Sequence, residues 1–240
     1  MTLKYKTIGF VFKKSEGAES DQVFSIFTKD FGKLELKAKA IRKITSKLRA
    51  DIDIFYLSEV EFIQGKNNKT LTDAVKIKKL GIFEKDLENF LIAGKIANVL
   101  DIFIRGEEKD EDIFNLLNDI LFKLEDDRLK IKNRQLIFQY FFWNFLSLQG
   151  YGLEVDNCAA CHSKLDPHSV YFSEKEGGII CEKCYAADKK AKKINSDIVK
   201  VLRIILKKDW DTLSKLKMES FSRQLLSKVS ESAMSAFCPS

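Results

Sequence analysis

At 240 residues, with 45% hydrophobic and 32% charged side chains, the chain can bury a sizeable core and divide into two or three units. Its five cysteines, an odd number, argue against a disulfide-stapled secreted protein and fit reduced thiols in the cytoplasm. The first residues lack the apolar core of a signal peptide, and the uncharged run Gln135 to Leu153 holds too many polar groups (Gln139, Asn144, Ser147, Gln149) for a membrane span.

Charge is unevenly distributed. Residues 1–80 carry a net +7, residues 81–157 a net −6 and residues 158–240 a net +5. An excess held within one segment says more about partners than the total of +6 does.

The first 80 residues read as strands. Thr7 to Phe12 and Gln22 to Phe27 are short β-rich runs separated by the turn Ser15-Glu16-Gly17. Leu34, Leu36, Ala38 and Ala40 then alternate with Lys33, Glu35, Lys37 and Lys39, the period of a half-buried strand. Ile54 to Ile63 and Thr70 to Ile77 supply two more, joined by Gln64-Gly65-Lys66-Asn67-Asn68. Five short strands predict a small closed barrel, an OB-fold first and an SH3-like barrel as the competitor.

From residue 84 the period becomes helical. Leu87, Phe90, Leu91, Ala97, Leu100 and Ile104 mark one helix, Phe114 to Leu124 a second and Leu136 to Leu148 a third, with Ile198 to Leu206 and Phe221 to Met234 further on. The expected class is α+β: residues 1–80 as an OB-fold nucleic-acid-binding domain, and residues 81–240 as a helical domain with an inserted zinc-ribbon-like module at 155–190.

That module rests on two tight pairs, Cys158-x-x-Cys161 and Cys181-x-x-Cys184, with 19 residues between them. Each pair lets two thiolates converge on one ion, and together they complete a closed tetrahedral Cys₄ set for structural Zn²⁺. Gly177 and Gly178 sit where a ribbon needs a turn tolerant of positive φ. Two mirrored pairs fit poorly with a thioredoxin-like redox role. With four sulfurs bound, no position is left for water or substrate, so the ion would hold the chain together. His162 is a spare ligand beside a set that is already complete.

Lys33, Lys37, Lys39, Arg42, Lys43, Lys47 and Arg49 fall within 17 residues that contain one acid, Glu35. The strand lysines project opposite the leucines, and the loop from Arg42 to Arg49 extends the stripe. On an OB barrel this is a groove for tracking the phosphate backbone of a nucleic acid. A Lys-rich edge that prevents sheet aggregation is the competing reading.

Other motifs are weaker. The aromatic run Phe138 to Phe145 reads as core, while Phe10, Phe12, Phe24, Phe27 and Phe31 divide between core and surface in a way the sequence does not resolve. Lys207-Lys208-Asp209-Trp210 is similar to a nucleotidyl-transferase lysine motif but has Trp210 where that motif has glycine. The acidic run Glu107 to Asp112 reads as a solvated loop before a helix whose first turn favours acids, rather than a Mg²⁺ site. These features predict a binder and not an enzyme.

Phe27 to Arg42 (Phe-Thr-Lys-Asp-Phe-Gly-Lys-Leu-Glu-Leu-Lys-Ala-Lys-Ala-Ile-Arg) resembles the third-strand motif of the RecO family of bacterial recombination mediators. Leu146 to Leu153 leading into Cys158-Ala159-Ala160-Cys161, then Phe172, Gly177-Gly178 and Cys181-Glu182-Lys183-Cys184, resemble its approach to a zinc site. The likeness covers nearly the whole chain. Two departures stand out: Ala40 replaces a usual glycine after the Ala-Lys pair, and His162 replaces a common glycine.

The resemblance implies a cytoplasmic, nucleoid-associated protein without ATPase activity. It implies binding to single- and double-stranded DNA, annealing of complementary strands, and action with RecR to help RecA replace the single-stranded DNA-binding protein SSB. Capture of the acidic, apolar SSB C-terminal tail by the helical domain is also implied. A family arginine aligns near Gln139 or Tyr140 here, so Arg128, Lys130, Lys132 and Arg134 are the substitute candidates. Two other classes stay open: a different OB-plus-zinc nucleic-acid adaptor acting on RNA or in replication, and an end-processing enzyme.

Overall fold

The computed structural model describes residues 3–18, 20–43, 46–79, 87–124 and 134–238. Five strands open the chain: β1 (Lys4–Glu16), β2 (Gln22–Thr28), β3 (Gly32–Ala38), β4 (Tyr56–Gln64) and β5 (Lys69–Lys79). They close into a barrel in the order β1-β2-β3-β5-β4, antiparallel throughout except where β3 meets β5 in parallel. This is the expected five-stranded OB-fold.

The alternation along β3 places Leu34, Leu36 and Ala38 inside at 0% exposure, packed with Val11, Phe24, Ile26, Val60 and Phe62. β4 starts later than the sequence pattern suggests. Phe55 adopts a left-handed backbone (φ 63°) and donates its N–H to Val11 O, so the extended run begins at Tyr56.

β1 does not alternate over Gly9–Phe12, where four successive residues are buried. Val11 faces the barrel interior, while Phe10 and Phe12 face two helices, α1 (Leu87–Phe103) and α2 (Glu111–Leu124). Phe10 and Phe114 rings lie 5.7 Å apart, and Ala93, Ile96, Leu100, Leu117 and Leu121 line the same seam. The chain accordingly separates into compact units at Met1–Asp126 and Asp127–Ser240, with α1 and α2 packed on the barrel. The sequence boundary at 80/81 lies among residues 80–86, outside the described ones.

The second unit holds α3 (Gln135–Leu148), strands β6 (Val170–Ser173) and β7 (Gly178–Cys181), the short α4 (Glu182–Tyr185), and β8 (Lys192–Ile194). It ends with α5 (Ser196–Leu206), α6 (Trp210–Lys215) and α7 (Ser220–Phe237). α3 is apolar on nearly every side and is buried accordingly, with α5, α6 and α7 packed on it. Its amide side chains are satisfied inside, while the buried Trp143 Nε1 has no hydrogen-bond partner among the described residues. Asn144 Nδ2 donates to Tyr140 O and Ile205 O, and the Ser230 hydroxyl donates to Gln139 Oε1. The aromatic run thus builds core, as expected: Phe141, Phe142 and Phe145 are fully buried.

α6 was not legible in the sequence, and it accounts for the lysine motif. Lys208 ends α5 in a left-handed conformation (φ 57°), and Asp209 caps α6 by accepting from Thr212 N at 3.0 Å. Trp210 stands edge-on to Tyr140, whose hydroxyl donates to Lys208 O. The acidic run is likewise structural. Asp110 accepts from Ile113 N at the start of α2, and Glu107 pairs with Lys69.

Both departures from the family pattern fall on left-handed residues, Ala40 at φ 53° and His162 at φ 58°. A side chain there costs about 1–2 kcal/mol, against about 0.5–1 kcal/mol for the extra chain entropy of glycine. Ala40→Gly is therefore expected to stabilise the protein by about 0.5–1 kcal/mol in denaturant titrations; equal or lower stability would show that Ala40 is unstrained.

Candidate nucleic-acid interface and metal centre

The basic stripe is set by β3 and the connection after it. Lys39, Arg42, Lys43, Lys47 and Arg49 are exposed, and Lys37 is half-buried at the same strand end. Asp21 organises this end of the barrel: its carboxylate accepts from Ala40 N at 2.8 Å and pairs with Lys37 at 3.1 Å. Those two contacts, the Ala40 N–H first, hold the Asp21 carboxyl below its ordinary range. Arg42 N donates to Ser20 O, and the Arg42 guanidinium lies 3.4 Å from Glu16. The β1–β2 turn and the basic segment therefore run side by side. An exposed ion pair such as Arg42–Glu16 is worth only about 0–1 kcal/mol, so a phosphate can compete for that cation.

Lys47 and Arg49 sit on a 3₁₀ turn, Lys47–Ala50, where the sequence suggested only a loop; Ile44 and Thr45 of that connection lie outside the described residues. One cation missed in the sequence joins them. Lys76, on β5, donates to Ala50 O at 3.3 Å and lies 5.7 Å from the Tyr56 ring. Its only sequence signal was the lysine-rich end of β5, and the pairing that brings it here is non-local.

Lys33 has a different occupation. Its ammonium donates to Asp101 O (2.9 Å) and Ile104 O (3.2 Å) at the C-terminal end of α1 and pairs with Asp101 Oδ1 at 3.0 Å. Its side chain is only 15% exposed. A cation there satisfies helix carbonyls that lack intrahelical partners. Burial opposes ionisation of Asp101, but Lys13 and Lys33 outweigh it and keep that carboxyl below its ordinary range. Lys33 is thus a tie between barrel and helix, set apart from the surface formed by the other six residues.

None of the five phenylalanines Phe10, Phe12, Phe24, Phe27 and Phe31 stands clear of the core as a stacking platform. Phe24 is inside, Phe10, Phe12 and Phe27 are buried, and half-buried Phe31 packs edge-on against Tyr5 and Phe62.

The four cysteines of the two pairs come together with their sulfurs within 4.8 Å of one another, and none forms a disulfide. A tetrahedral ion with metal–sulfur bonds of about 2.3 Å sets its ligands about 3.8 Å apart. Cys161 Sγ and Cys181 Sγ are 3.8 Å apart. The cluster can therefore hold a metal ion.

The chain is shaped to deliver these sulfurs. His162 N donates to Cys158 O (2.8 Å) and Cys158 N to Ser163 O (2.9 Å), closing the first knuckle through the left-handed His162. His162 is not one of the clustered residues. The two glycines serve different ends. Gly177 takes φ 64°, while a Cβ on Gly178 would stand 2.4 Å from Glu154 O. Cys181 N donates to Cys158 Sγ at 3.3 Å.

The thiols pull apart electrostatically. The hydrogen bond with the Ser163 hydroxyl leads the contacts that lower Cys161 to about 6, while Cys161, then burial and the other two sulfurs, push Cys184 up to about 12. A bound divalent cation allows all four to ionise together.

β8 adds a third strand to the module's sheet, in the order β7-β6-β8. Phe172 packs edge-on against Trp143 of α3 at 5.7 Å, and Arg203 of α5 donates twice to Val155 O (3.0 and 2.8 Å). Of the residues considered for peptide-tail capture, Arg128, Lys130 and Lys132 lie outside the described ones. Arg134 is half-buried just before α3, and Gln139 and Tyr140, near the family arginine, are buried.

Two family models account for the chain: Recombination protein O N terminal over residues 1–79 and Recombination protein O C terminal over residues 84–236. The chain belongs to the RecO family. Relatives named DNA repair protein RecO include that of Dehalococcoides mccartyi, 31% identical over 94% of this chain and 86% of its own. That of Alkaliphilus metalliredigens is 27% identical over 93% and 89%, and that of Acetivibrio thermocellus 28% over 95% and 90%. No helix among the described residues is long and apolar enough to cross a membrane.

The metal centre makes a direct prediction. The purified protein carries one metal ion per chain by elemental analysis, and Cys158→Ser abolishes it and raises hydrogen exchange across residues 155–194. Metal-free protein with the four sulfurs paired as disulfides would contradict it.

Proposed function

We propose that this protein is a non-enzymatic DNA-binding recombination mediator that acts in DNA repair. The reading is carried by one observation: Lys39, Lys43, Lys47 and Arg49 are exposed on one side of an OB barrel, with no carboxylate partner among the described residues. Lys37 and Arg42 add two cations held only by surface pairs.

Such a surface recognises phosphate and not base identity. It neutralises a strand along its backbone through many weak contacts. Two strands so neutralised approach one another, pair, and leave as a duplex that the protein holds no more tightly than its components. That is what annealing requires, and it consumes no nucleotide.

Membership of the RecO family supports the finer reading: annealing of complementary single strands and, with RecR, replacement of SSB by RecA at gaps and breaks in cytoplasmic, nucleoid-associated DNA. The SSB C-terminal tail would dock on the helical unit. The ion held by Cys158, Cys161, Cys181 and Cys184 is Zn²⁺ in this proposal, because four thiolates in tetrahedral array suit it and leave no open position. Its task is structural; such sites contribute apparent folding free energy of about 10–16 kcal/mol in isolated small modules.

The test is annealing of complementary strands coated with the organism's own SSB. The quadruple variant Lys39→Ala, Lys43→Ala, Lys47→Ala, Arg49→Ala is expected to lose at least about tenfold in affinity and to anneal correspondingly slowly. Lys33→Ala should instead cost about 1–3 kcal/mol of stability and leave the affinity of the folded protein unchanged. Unchanged DNA binding by the quadruple variant would remove the barrel from the DNA path. Equal affinity for RNA without annealing would favour a different nucleic-acid adaptor.

A further inference from the structure

We infer that the metal-binding module carries a second phosphate-contacting surface, formed by Lys189, Lys190 and Lys193 beside Tyr185, which holds a second nucleic-acid strand. This rests on the annealing function proposed above.

The starting point is the run Asp188-Lys189-Lys190-Ala191-Lys192-Lys193, four lysines in six residues that the metal site does not use. The fold displays them on a rigid turn. Asp188 accepts from the Ser173 hydroxyl at 2.6 Å and from Lys190 N at 3.2 Å, and Ala191 N donates to Asp188 O. Asp188, the acid of the run, thus braces the turn by way of Ser173 and the backbone.

The strand register then sets the face. Lys193 lies opposite Tyr171, so both project to the same side of the sheet. Tyr171 stacks on Tyr185, with centroids 4.0 Å apart and planes 7° apart, and Lys189 Nζ lies 4.4 Å from the Tyr185 ring. Lys192, on the opposite side of the strand, pairs with Glu174.

Lys189, Lys190 and Lys193 are exposed and have no carboxylate partner among the described residues. On the barrel, by contrast, Lys4, Lys6, Lys13, Lys14, Lys33 and Lys37 are all ion-paired. Balancing the charge of a tetrathiolate centre does not account for them. Among the described residues the sulfurs' polar neighbours are the Ser163 hydroxyl and backbone N–H groups, and no ammonium bonds to a sulfur. Lysines are point charges without the fork that fits a carboxylate, and together with a half-buried tyrosine they suit a phosphodiester backbone. Annealing needs two strands, and a surface on each compact unit supplies one for each.

The experiment uses full-length, metal-loaded protein. One labelled 30-mer is bound at saturation, and capture of a second, non-complementary labelled 30-mer is followed by energy transfer between them. In the variant Lys189→Ala, Lys190→Ala, Lys193→Ala, metal content and first-strand affinity are expected to match wild type, while second-strand capture and annealing fall roughly tenfold. The Lys→Arg triple variant is expected to restore both. Undiminished capture by the alanine variant overturns this inference alone, as does a surface that takes up a polyglutamate peptide but no second strand. Wild-type protein that binds no strand at all overturns the proposed function, and this inference with it.

Discussion

Strand β3 can bury only one of its faces, and the barrel's chemistry depends on that constraint. Leu34, Leu36 and Ala38 fill the interior at 0% exposure, which forces Lys33, Lys37 and Lys39 outward. Each buried leucine contributes about 1.5–3 kcal/mol, and a slip of one residue would drive three lysines into the core. The positions of the cations are thus fixed by the apolar residues between them. The basic stripe needs no dedicated scaffold here, because it is the other half of a packing pattern.

The same strand shows how neighbours decide what a lysine does. At one end Lys33 meets the unsatisfied carbonyls of α1 and Asp101 and becomes part of the framework. At the other end Lys37 and Arg42 pair with Asp21 and Glu16, and Lys39 is exposed. Identical side chains four and six residues apart therefore join the framework in one case and stay at the surface in the other. The partition recurs in the metal module, where Lys192 is engaged by Glu174 and Lys193, one residue on, faces away.

Much of this was legible in the chain. The two-residue period announced β3, and the paired cysteines with their glycines announced the metal cluster. The lysine motif at 207–210 and the acidic run at 107–112 each build a helix start. What escaped did so for physical reasons. Gly9–Phe12 is buried on both faces, so it carries no alternation to reveal the docking of α1 and α2. Strands β6, β7 and β8, of four, four and three residues, are too short to show a period. Lys33 could not be separated from its neighbours because its partner Asp101 lies 68 residues away. Ala40 and His162 were visible as departures from glycine, and the structure supplies the reason that glycine is usual there: both backbones are left-handed.

The central claim is that this protein holds nucleic acid by phosphate charge and not by base identity, and the dependence of affinity on salt tests it most directly. Four to six phosphates engaged on a single strand predict a log–log slope of about −3 to −4, the same for oligonucleotides of equal length and different sequence. Binding that scarcely changes with salt, or that strongly prefers one base sequence, would contradict the account.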